Sequence, residues 1–362
     1  MTASSQPRIR VMVVEDSLVI RQLLAHIIAR DPRLILAAAV ASAEEALREM
    51  ARVQPDVVSM DIRLPGMDGL EATRRIMAER PTPIVVIADA VEDSSLKISM
   101  NALRAGALSV VEKPLGVTSA GYDAVASTIC TQLYIMSQVP VVRQRSFRWR
   151  PSDPSAALDR EDGRATTRAA ILAIAASTGG PPALAKVLGA FPADFPLPVL
   201  VVQHMGAPFM EGFASWLNGL TPLDVRLAQE GEVPTGGRVY VAPGDRHLAL
   251  SSSGTLRISA DAPVGSQRPS ATYLFQSLAR FAGPRGLGVL LTGMGDDGAQ
   301  GLVDMRRAGA YTLAEDESTA VVYGMPAAAV QMGGARASLP LDLIAPRLLQ
   351  LARGEMARGE RE

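Results

Sequence analysis

Three polar residues each follow an apolar run that has the character of a buried β-strand. Ser177 follows ILAIAA, His204 follows LPVLVVQ, and Asp297 follows LGVLL after a glycine-rich turn. Buried parallel strands are nearly continuous apolar runs, and the active sites of open α/β sheets form at the carboxyl ends of such strands. A hydroxyl, an imidazole and a carboxylate at one sheet edge are the groups of a hydrolytic triad. These residues therefore indicate acyl-transfer chemistry.

The residues after Ser177 leave one alternative open. The segment TGGPP predicts a tight turn and the start of a helix, because early helical positions need no backbone donor. Free amides and the helix dipole favour negative charge at this point. A serine before a glycine pair can also belong to a phosphate-binding loop, but the chain lacks the full dinucleotide-binding glycine spacing and the P-loop lysine. We therefore favour the hydrolytic interpretation.

The general base of such a triad must be one of the three histidines in the chain. His26 falls inside an amphipathic helix near the start of the chain. His247 follows a turn in APGDRHLAL, where it either lines the site or packs. His204 follows its strand directly, and it shares this setting with Ser177 and Asp297, so it is the preferred base.

The acid is less well defined, because TGMGDDGAQG offers Asp296 and Asp297 side by side. This turn leads into a helix predicted over Ala299–Arg307, and either carboxylate can cap the start of that helix. The spacing of the residues does not choose between the two.

A second group of charged residues ends strands in the first part of the chain. Glu15 and Asp16 follow IRVMVV, Asp61 follows DVVSM, and Lys113 follows ALSVVE. Three carboxylates at one edge repel one another unless a hard cation lies among them, and oxygen ligands suit Mg²⁺. A lysine beside them would offset added negative charge, such as that of a phosphoryl group. Taken singly, each acid can instead be a helix cap or a loop residue.

Two α/β series must position these residues. In the first, five apolar strands each precede a helix, which predicts a small parallel sheet covered on both faces. Its helices are predicted over residues 17–30, 43–52, 70–80, 94–105 and 118–137. Residues 138–168 are rich in proline, serine and charge and predict a linker.

The second series begins at residue 169 and predicts a doubly wound α/β domain. Within it, VYVAPGDRHLALSSSGTLRIS has short alternating runs separated by turn residues, which predicts β-hairpins. The last helix is predicted over Leu341–Arg353, before a charged tail.

Composition restricts the classes of function. The 362 residues are enough for two domains, and 36 basic against 37 acidic residues give no electrostatic case for binding nucleic acid or an anionic membrane. One cysteine, Cys130, excludes an intramolecular disulfide. We find no leader-like start and no apolar run of membrane-spanning length, so a cytoplasmic protein that is not inserted in a membrane is expected.

The first series resembles a bacterial response-regulator receiver domain over about residues 8–137, including GMDG after Asp61 and the Lys-Pro pair after the fifth strand. The resemblance implies that Asp61 is the phospho-acceptor, that Glu15 and Asp16 help it to hold Mg²⁺, and that Lys113 contacts the phosphoryl group. It also implies a sensor histidine kinase as the phosphoryl donor.

Ala88 departs from the receiver pattern. Receivers usually carry serine or threonine at the end of the fourth strand, where the hydroxyl bonds a phosphoryl oxygen and draws the adjacent loop inward. In IVVIADAVEDSS that position is Ala88, and the next hydroxyl is Ser94. A charge-assisted hydrogen bond contributes about 1.5 to 3 kcal/mol. We therefore expect Asp61 to accept phosphate but the switch to be weakened or rewired.

The second series resembles the catalytic domain of the chemotaxis protein-glutamate methylesterases over about residues 169–352. The likeness includes PGDRH, RPSATYLF and the receiver in front. It implies that Ser177 is the nucleophile, His204 the general base and Asp297, rather than Asp296, the orienting carboxylate.

Two further positions enter with this resemblance. We expect the backbone amide of Met294 to be an oxyanion donor. The family often has His-Arg-Pro-Ser where this chain has QRPS beginning at Gln267. This departure affects any auxiliary role of that histidine but not the triad.

The implied function is a phosphorylation-regulated hydrolase with chemoreceptors as its substrate. It would remove methyl groups from glutamate γ-methyl esters and deamidate receptor glutamines, with no cofactor for hydrolysis. The alternative is a non-catalytic two-component regulator whose C-terminal domain only binds a partner, an interpretation for which the departure at Ala88 is the support.

Overall fold

The computed structural model describes residues 7–88, 101–103, 105–114, 122–139 and 169–354. It divides the chain into two compact units, and the division falls inside the predicted linker, of which only the first two residues are described. The domain bounds 8–137 and 169–352 therefore stay predictions. No helix among the described residues is long and apolar enough to cross a membrane.

The first unit contains a five-stranded parallel sheet, as predicted. Its strands lie in the order β2-β1-β3-β4-β5. The central strands are buried along most of their length, because helices cover the sheet. The strands are β1 (Ile9–Val14), β2 (Leu34–Val40), β3 (Val57–Met60), β4 (Ile84–Ala88) and β5 (Ser109–Glu112).

The helices of this unit begin close to the predicted positions, because their first residues follow good capping side chains. Ser17, Ser42 and Asp68 each accept a hydrogen bond from a backbone amide of the first turn. The predicted helix over 94–105 falls mostly outside the described residues. The helices are α1 (Leu18–Arg30), α2 (Ala43–Val53), α3 (Gly69–Glu79) and α4 (Tyr122–Ser137).

The second unit is built on a seven-stranded parallel sheet in the order β14-β13-β12-β6-β7-β9-β8. The order reverses direction at β6, so neighbouring crossovers leave on opposite faces and helices cover both sides. The strands are β6 (Ile171–Ala176), β7 (Val199–Gln203), β8 (Asp224–Leu227), β9 (Arg238–Val241), β12 (Gly286–Leu290), β13 (Tyr311–Glu315) and β14 (Ala337–Leu339).

The prediction of β-hairpins in this unit is only partly right. The segments β10 (His247–Leu250) and β11 (Leu256–Ser259) form the predicted antiparallel hairpin. The run VYV, however, belongs to β9, which lies between β7 and β8 and pairs in parallel with both. Its three residues are all buried, as in a strand covered on both faces.

The helices of the second unit include two predicted segments with unchanged bounds, Ala299–Arg307 and Leu341–Arg353. A cluster of buried side chains from β6, β7, the hairpin and the helix Ala271–Phe281 forms the core on one face. The helices are α5 (Gly180–Gly189), α6 (Met210–Asn218), α7 (Ala271–Phe281), α8 (Ala299–Arg307), α9 (Met325–Gln331) and α10 (Leu341–Arg353).

Candidate active site

Ser177 and His204 lie side by side because the strands before them are paired. In the register of β6 and β7, Ala176 is opposite Gln203, and the His204 amide donates to the Ala176 carbonyl at 3.0 Å. Each of these two candidate residues is therefore the first residue beyond its strand.

Asp297 reaches the same edge from the turn after β12. Its Oδ2 lies 2.9 Å from His204 Nε2, and the two side chains are only 10% and 9% exposed. Because a carboxylate oxygen accepts, Nε2 carries the proton, which leaves Nδ1 as the basic nitrogen of the ring. Ser177 Oγ makes no hydrogen bond to His204 in the described structure. Such bonds are often long in free enzymes and tighten when substrate binds.

The start of α7 holds the Asp297 carboxylate. Oδ1 accepts from Ser270 Oγ at 2.7 Å and from the Thr272 amide at 3.0 Å, and Oδ2 accepts from the Ala271 amide at 2.7 Å. Burial by itself would raise the pKa of Asp297, but the hydrogen bonds from His204, Ser270 and Thr272 outweigh burial and lower the pKa to about 2. The carboxylate is therefore charged and fixed in orientation.

The structure separates the two adjacent aspartates. Asp296 is exposed, and its carbonyl accepts from the Ala299 amide, whereas Asp297 turns inward to His204. Gly295 and Gly298 flank the pair with φ values of 88° and 92°, which only glycine adopts readily. The turn therefore aims the second carboxylate inward.

Met294, the expected oxyanion donor, lies in the turn that passes Ser177. A Cβ added to the preceding residue, Gly293, would lie 2.8 Å from Ser177 Cβ, so this backbone and the serine are in contact. The Met294 amide donates no hydrogen bond within the described part of the chain, and its side chain is half exposed. The amide is thus available to a bound ligand.

Thr292 supports the Ser177 turn, a role that sequence reasoning missed. Its carbonyl accepts from the Ser177 amide at 3.0 Å, and its Oγ1 donates to the Thr178 carbonyl at 2.8 Å. The Thr292 amide donates at 2.8 Å to Glu315, a fully buried carboxylate whose pKa is raised by burial. These contacts join strands that are distant in sequence, so no local pattern signals them.

The described contacts of His247 are with Ser270, Ala262 and Tyr273 rather than with Ser177, His204 or Asp297. His247 is fully buried and stacks on Tyr273, with ring centroids 4.3 Å apart. Its Nδ1 accepts from the Ser270 amide at 3.2 Å, and its Nε2 lies 3.2 Å from the Ala262 carbonyl. Both ring nitrogens are therefore engaged, and the histidine supports the residue that holds Asp297. His26 lies on α1 of the first unit.

In the first unit the predicted acidic cluster is assembled. One carboxylate oxygen from each of Glu15, Asp16 and Asp61 lies within 4.8 Å of the other two. Lys113 Nζ lies 2.9 Å from Asp61 Oδ2 and 3.1 Å from Glu15 Oε2. Glu15, Asp61 and Lys113 are buried, whereas Asp16 is exposed.

The electrostatics of this cluster favour a divalent cation. Burial and the charge of Asp61 raise the pKa of Glu15 to about 7, and burial raises the pKa of Asp61 although Lys113 opposes it. Neither Glu15 Oε2 nor Asp61 Oδ2 accepts a hydrogen bond of good geometry among the described residues, although both lie near Lys113 Nζ. One ammonium group does not offset three carboxylates. The oxygen ligands therefore fit a divalent metal site.

Ala88 ends β4 beside this cluster. It is 4% exposed, and its carbonyl accepts from the Lys113 amide at 3.0 Å. A buried methyl group therefore occupies the position expected to carry a hydroxyl, next to Lys113.

Known proteins match both units. Residues 172–348 match the CheB methylesterase family, and residues 11–119 match the response regulator receiver domain. The protein-glutamate methylesterase/protein-glutamine glutaminase 2 of Paramagnetospirillum magneticum is 56% identical over 350 residues, which cover 96% of this chain and 98% of that protein. A Myxococcus xanthus protein of the same name, numbered 4, is 45% identical over 346 residues, which cover 96% and 98%.

Among solved structures, the catalytic domain of the Thermotoga maritima CheB methylesterase is 34% identical and aligns with a TM-score of 0.49 over 51% of this chain and 100% of that one. The two relatives, by contrast, match along nearly the whole chain, in which the receiver match precedes the methylesterase match. The chain belongs to the family of receiver-linked protein-glutamate methylesterases/protein-glutamine glutaminases.

Proposed function

We propose that this chain is a phosphorylation-regulated serine hydrolase. Its substrates are glutamate γ-methyl esters and glutamine side-chain amides of methyl-accepting chemoreceptors. The observation that carries this proposal is the 2.9 Å hydrogen bond between His204 Nε2 and Asp297 Oδ2, next to Ser177 on the paired strand.

In the acylation step, Ser177 Oγ attacks the ester carbonyl carbon while His204 Nδ1 takes the hydroxyl proton. The charge on the imidazolium is balanced by Asp297, which is ionised and held by α7. The tetrahedral intermediate collapses when the C–O bond to the methoxy group breaks, and His204 returns the proton so that methanol leaves.

In the deacylation step, water attacks the acyl-serine and gives up a proton to His204. The bond to Ser177 Oγ then breaks, the proton returns to the serine, and free glutamate is released. A glutamine substrate follows the same route, with ammonia as the leaving group.

Two features support stabilisation of the oxyanion. The Met294 amide donates no hydrogen bond to any described residue, and Ser177 lies at the start of α5, whose first amides favour negative charge. Gly179 makes this close turn with a φ of 78°, where an added Cβ would lie 2.5 Å from Val321 Cβ.

The receiver unit supplies the regulation. We propose that Asp61 accepts a phosphoryl group from a sensor histidine kinase and that Lys113 contacts the added oxygens. Glu15, Asp16 and Asp61 would hold Mg²⁺, which offsets charge during phosphoryl transfer. The proposed place of action is the cytoplasm. The non-catalytic alternative has no support in the site or in the relatives.

The test is release of methanol from methylated receptor, measured with and without a small phosphoryl donor. Wild type should be stimulated by the donor, Asp61→Asn should not be, and Ser177→Ala should lose nearly all activity in both conditions. If Ser177→Ala retained most of the wild-type rate, the triad assignment would be wrong.

A further inference from the structure

We propose that Gln203 is a positioning residue that ties the nucleophile to its base; this inference rests on the proposed function. The Gln203 side-chain nitrogen donates to the Ser177 carbonyl at 2.8 Å and to the His204 carbonyl at 3.0 Å. A primary amide has two N–H donors, which is the number these two carbonyls require. One side chain therefore joins the backbones of both residues.

The link lies beyond the end of the sheet. The ladder between β6 and β7 runs over five residue pairs and ends at Ala176 opposite Gln203, with the His204 amide as its last donor. Past this point the strands turn into separate loops. The two hydrogen bonds of Gln203 fall there, so they fix the relation between Ser177 and His204 rather than the strands themselves.

The surroundings of the amide keep it in this orientation. Gln203 is 1% exposed, and its Oε1 has no hydrogen-bond partner among the described residues. A Cβ built on Gly180 would lie 2.1 Å from Oε1, so the side chain fills the space above the first residue of α5. A buried acceptor without a partner is unfavourable. The two hydrogen bonds from the Gln203 nitrogen to the Ser177 and His204 carbonyls therefore explain why the side chain takes this orientation although its oxygen has no partner among the described residues.

The test compares Gln203→Met, which keeps the size but removes both donors, with wild type. A control is Tyr240→Phe, which removes a hydroxyl from a fully buried side chain on the adjacent strand β9, where it bonds the Thr235 amide. We expect Gln203→Met to lower kcat by about 10- to 100-fold, since misplacement of reacting groups by about 1 Å costs about 100-fold. KM should change by less than about threefold on this basis.

A fluorophosphonate that labels Ser177 provides a readout independent of receptor binding. Gln203→Met should slow labelling by the same factor as it lowers kcat. Tyr240→Phe should be labelled at the wild-type rate, even if its unfolding temperature falls by as much as that of Gln203→Met. Equal labelling rates and kcat values in wild type and Gln203→Met would overturn the inference. So would parallel losses in the two variants, which would indicate a general packing effect.

A further measurement covers the case in which Gln203→Met fails to fold. In wild-type protein, both side-chain amide protons of Gln203 should be protected from exchange with solvent, as measured by NMR. Rapid exchange would overturn the inference. The two proposals fail in different experiments. Retained activity in Ser177→Ala would contradict the proposed function itself, whatever result the Gln203 variant gives.

Discussion

Ser270 Oγ donates a 2.7 Å hydrogen bond to Asp297 Oδ1 and, at the same time, accepts from the Tyr273 amide as the N-cap of α7. The next two amides of the chain donate to the same carboxylate. The orientation of His204 therefore depends on where α7 begins. A single serine both caps this helix and fixes the Asp297 carboxylate.

Replacing Ser270 by alanine should lower kcat by about tenfold, because the charged carboxylate loses one of its donors, an interaction that contributes about 1.5 to 3 kcal/mol, while three donors remain. Loss of the N-cap should also lower the free energy of unfolding by about 1 kcal/mol. Receptor ester hydrolysis and urea unfolding measure the two effects. Ser270→Thr keeps the hydroxyl and is the control. An unchanged kcat in Ser270→Ala would show that the backbone amides of Ala271 and Thr272 are sufficient to hold the Asp297 carboxylate.

The lowered pKa of Asp297 predicts how stability depends on pH. A carboxylate whose folded-state pKa is about 2, against about 3.9 in an unfolded chain, stabilises the fold above the unfolded value and loses this effect as pH falls through the folded value. We expect the difference in unfolding free energy between wild type and Asp297→Asn to shrink by about 1 kcal/mol between pH 5 and pH 3.

Fluorescence of Trp216 can follow that unfolding, because this residue is buried in α6 of the same unit. Trp149, the other tryptophan, should be replaced by phenylalanine in both proteins so that the signal has one source. A difference that stays constant over this pH range would contradict the assigned hydrogen bonds.

The two histidines of the second unit should respond differently to substitution. His204→Ala removes the proposed base and should reduce kcat by about 100- to 10,000-fold. His247→Phe keeps the stack on Tyr273 but removes the acceptor for the Ser270 amide, so we expect a loss of about tenfold or less together with lower stability. Single-turnover hydrolysis separates the two. Equal losses would contradict the assignment of His247 to a minor supporting role.

The sequence predicted most helices and strands, because their apolar periods and caps are local. Leu341–Arg353 and Ala299–Arg307 are helices with the predicted bounds. The error at β9 has a physical cause, since VYV is followed by turn residues that suit a hairpin, and which strand it pairs with is decided by distant residues. The signal available in the sequence was the unbroken apolar run VYVA, which is typical of a strand buried on both faces, as VYV is here.

The site was predictable to the extent that it follows from strand ends. Ser177 and His204 meet because parallel strands share an edge, but the orientation of Asp297 depends on the backbone angles of Gly295 and Gly298. Ser270 had a sequence signal as an N-cap before ATYLF, yet its bond to Asp297 depends on how α7 packs. The sequence predicts Gln203 only as the last residue of a strand, and no sequence pattern indicates that its side-chain amide donates to the Ser177 and His204 carbonyls.

Ala88 provides the test of the regulatory unit. It is buried at the end of β4, bonded through its carbonyl to the Lys113 amide, and it offers no hydroxyl to a phosphoryl group on Asp61. Ala88→Thr should restore that hydroxyl. A hydrogen bond to a charged group contributes about 1.5 to 3 kcal/mol, which corresponds to a shift of about tenfold or more in the equilibrium between inactive and active forms.

The measurement is the ratio of ester hydrolysis with beryllofluoride, a phosphoryl mimic, to hydrolysis without it. Ala88→Val is the matched control, because valine has the branched shape of threonine without the hydroxyl. We expect the ratio to rise in Ala88→Thr but not in Ala88→Val. The threonine hydroxyl can bond the phosphoryl mimic but has no such partner without it, so only the stimulated rate should change. Equal ratios in wild type and both variants would mean that the switch operates without this contact, through groups other than residue 88.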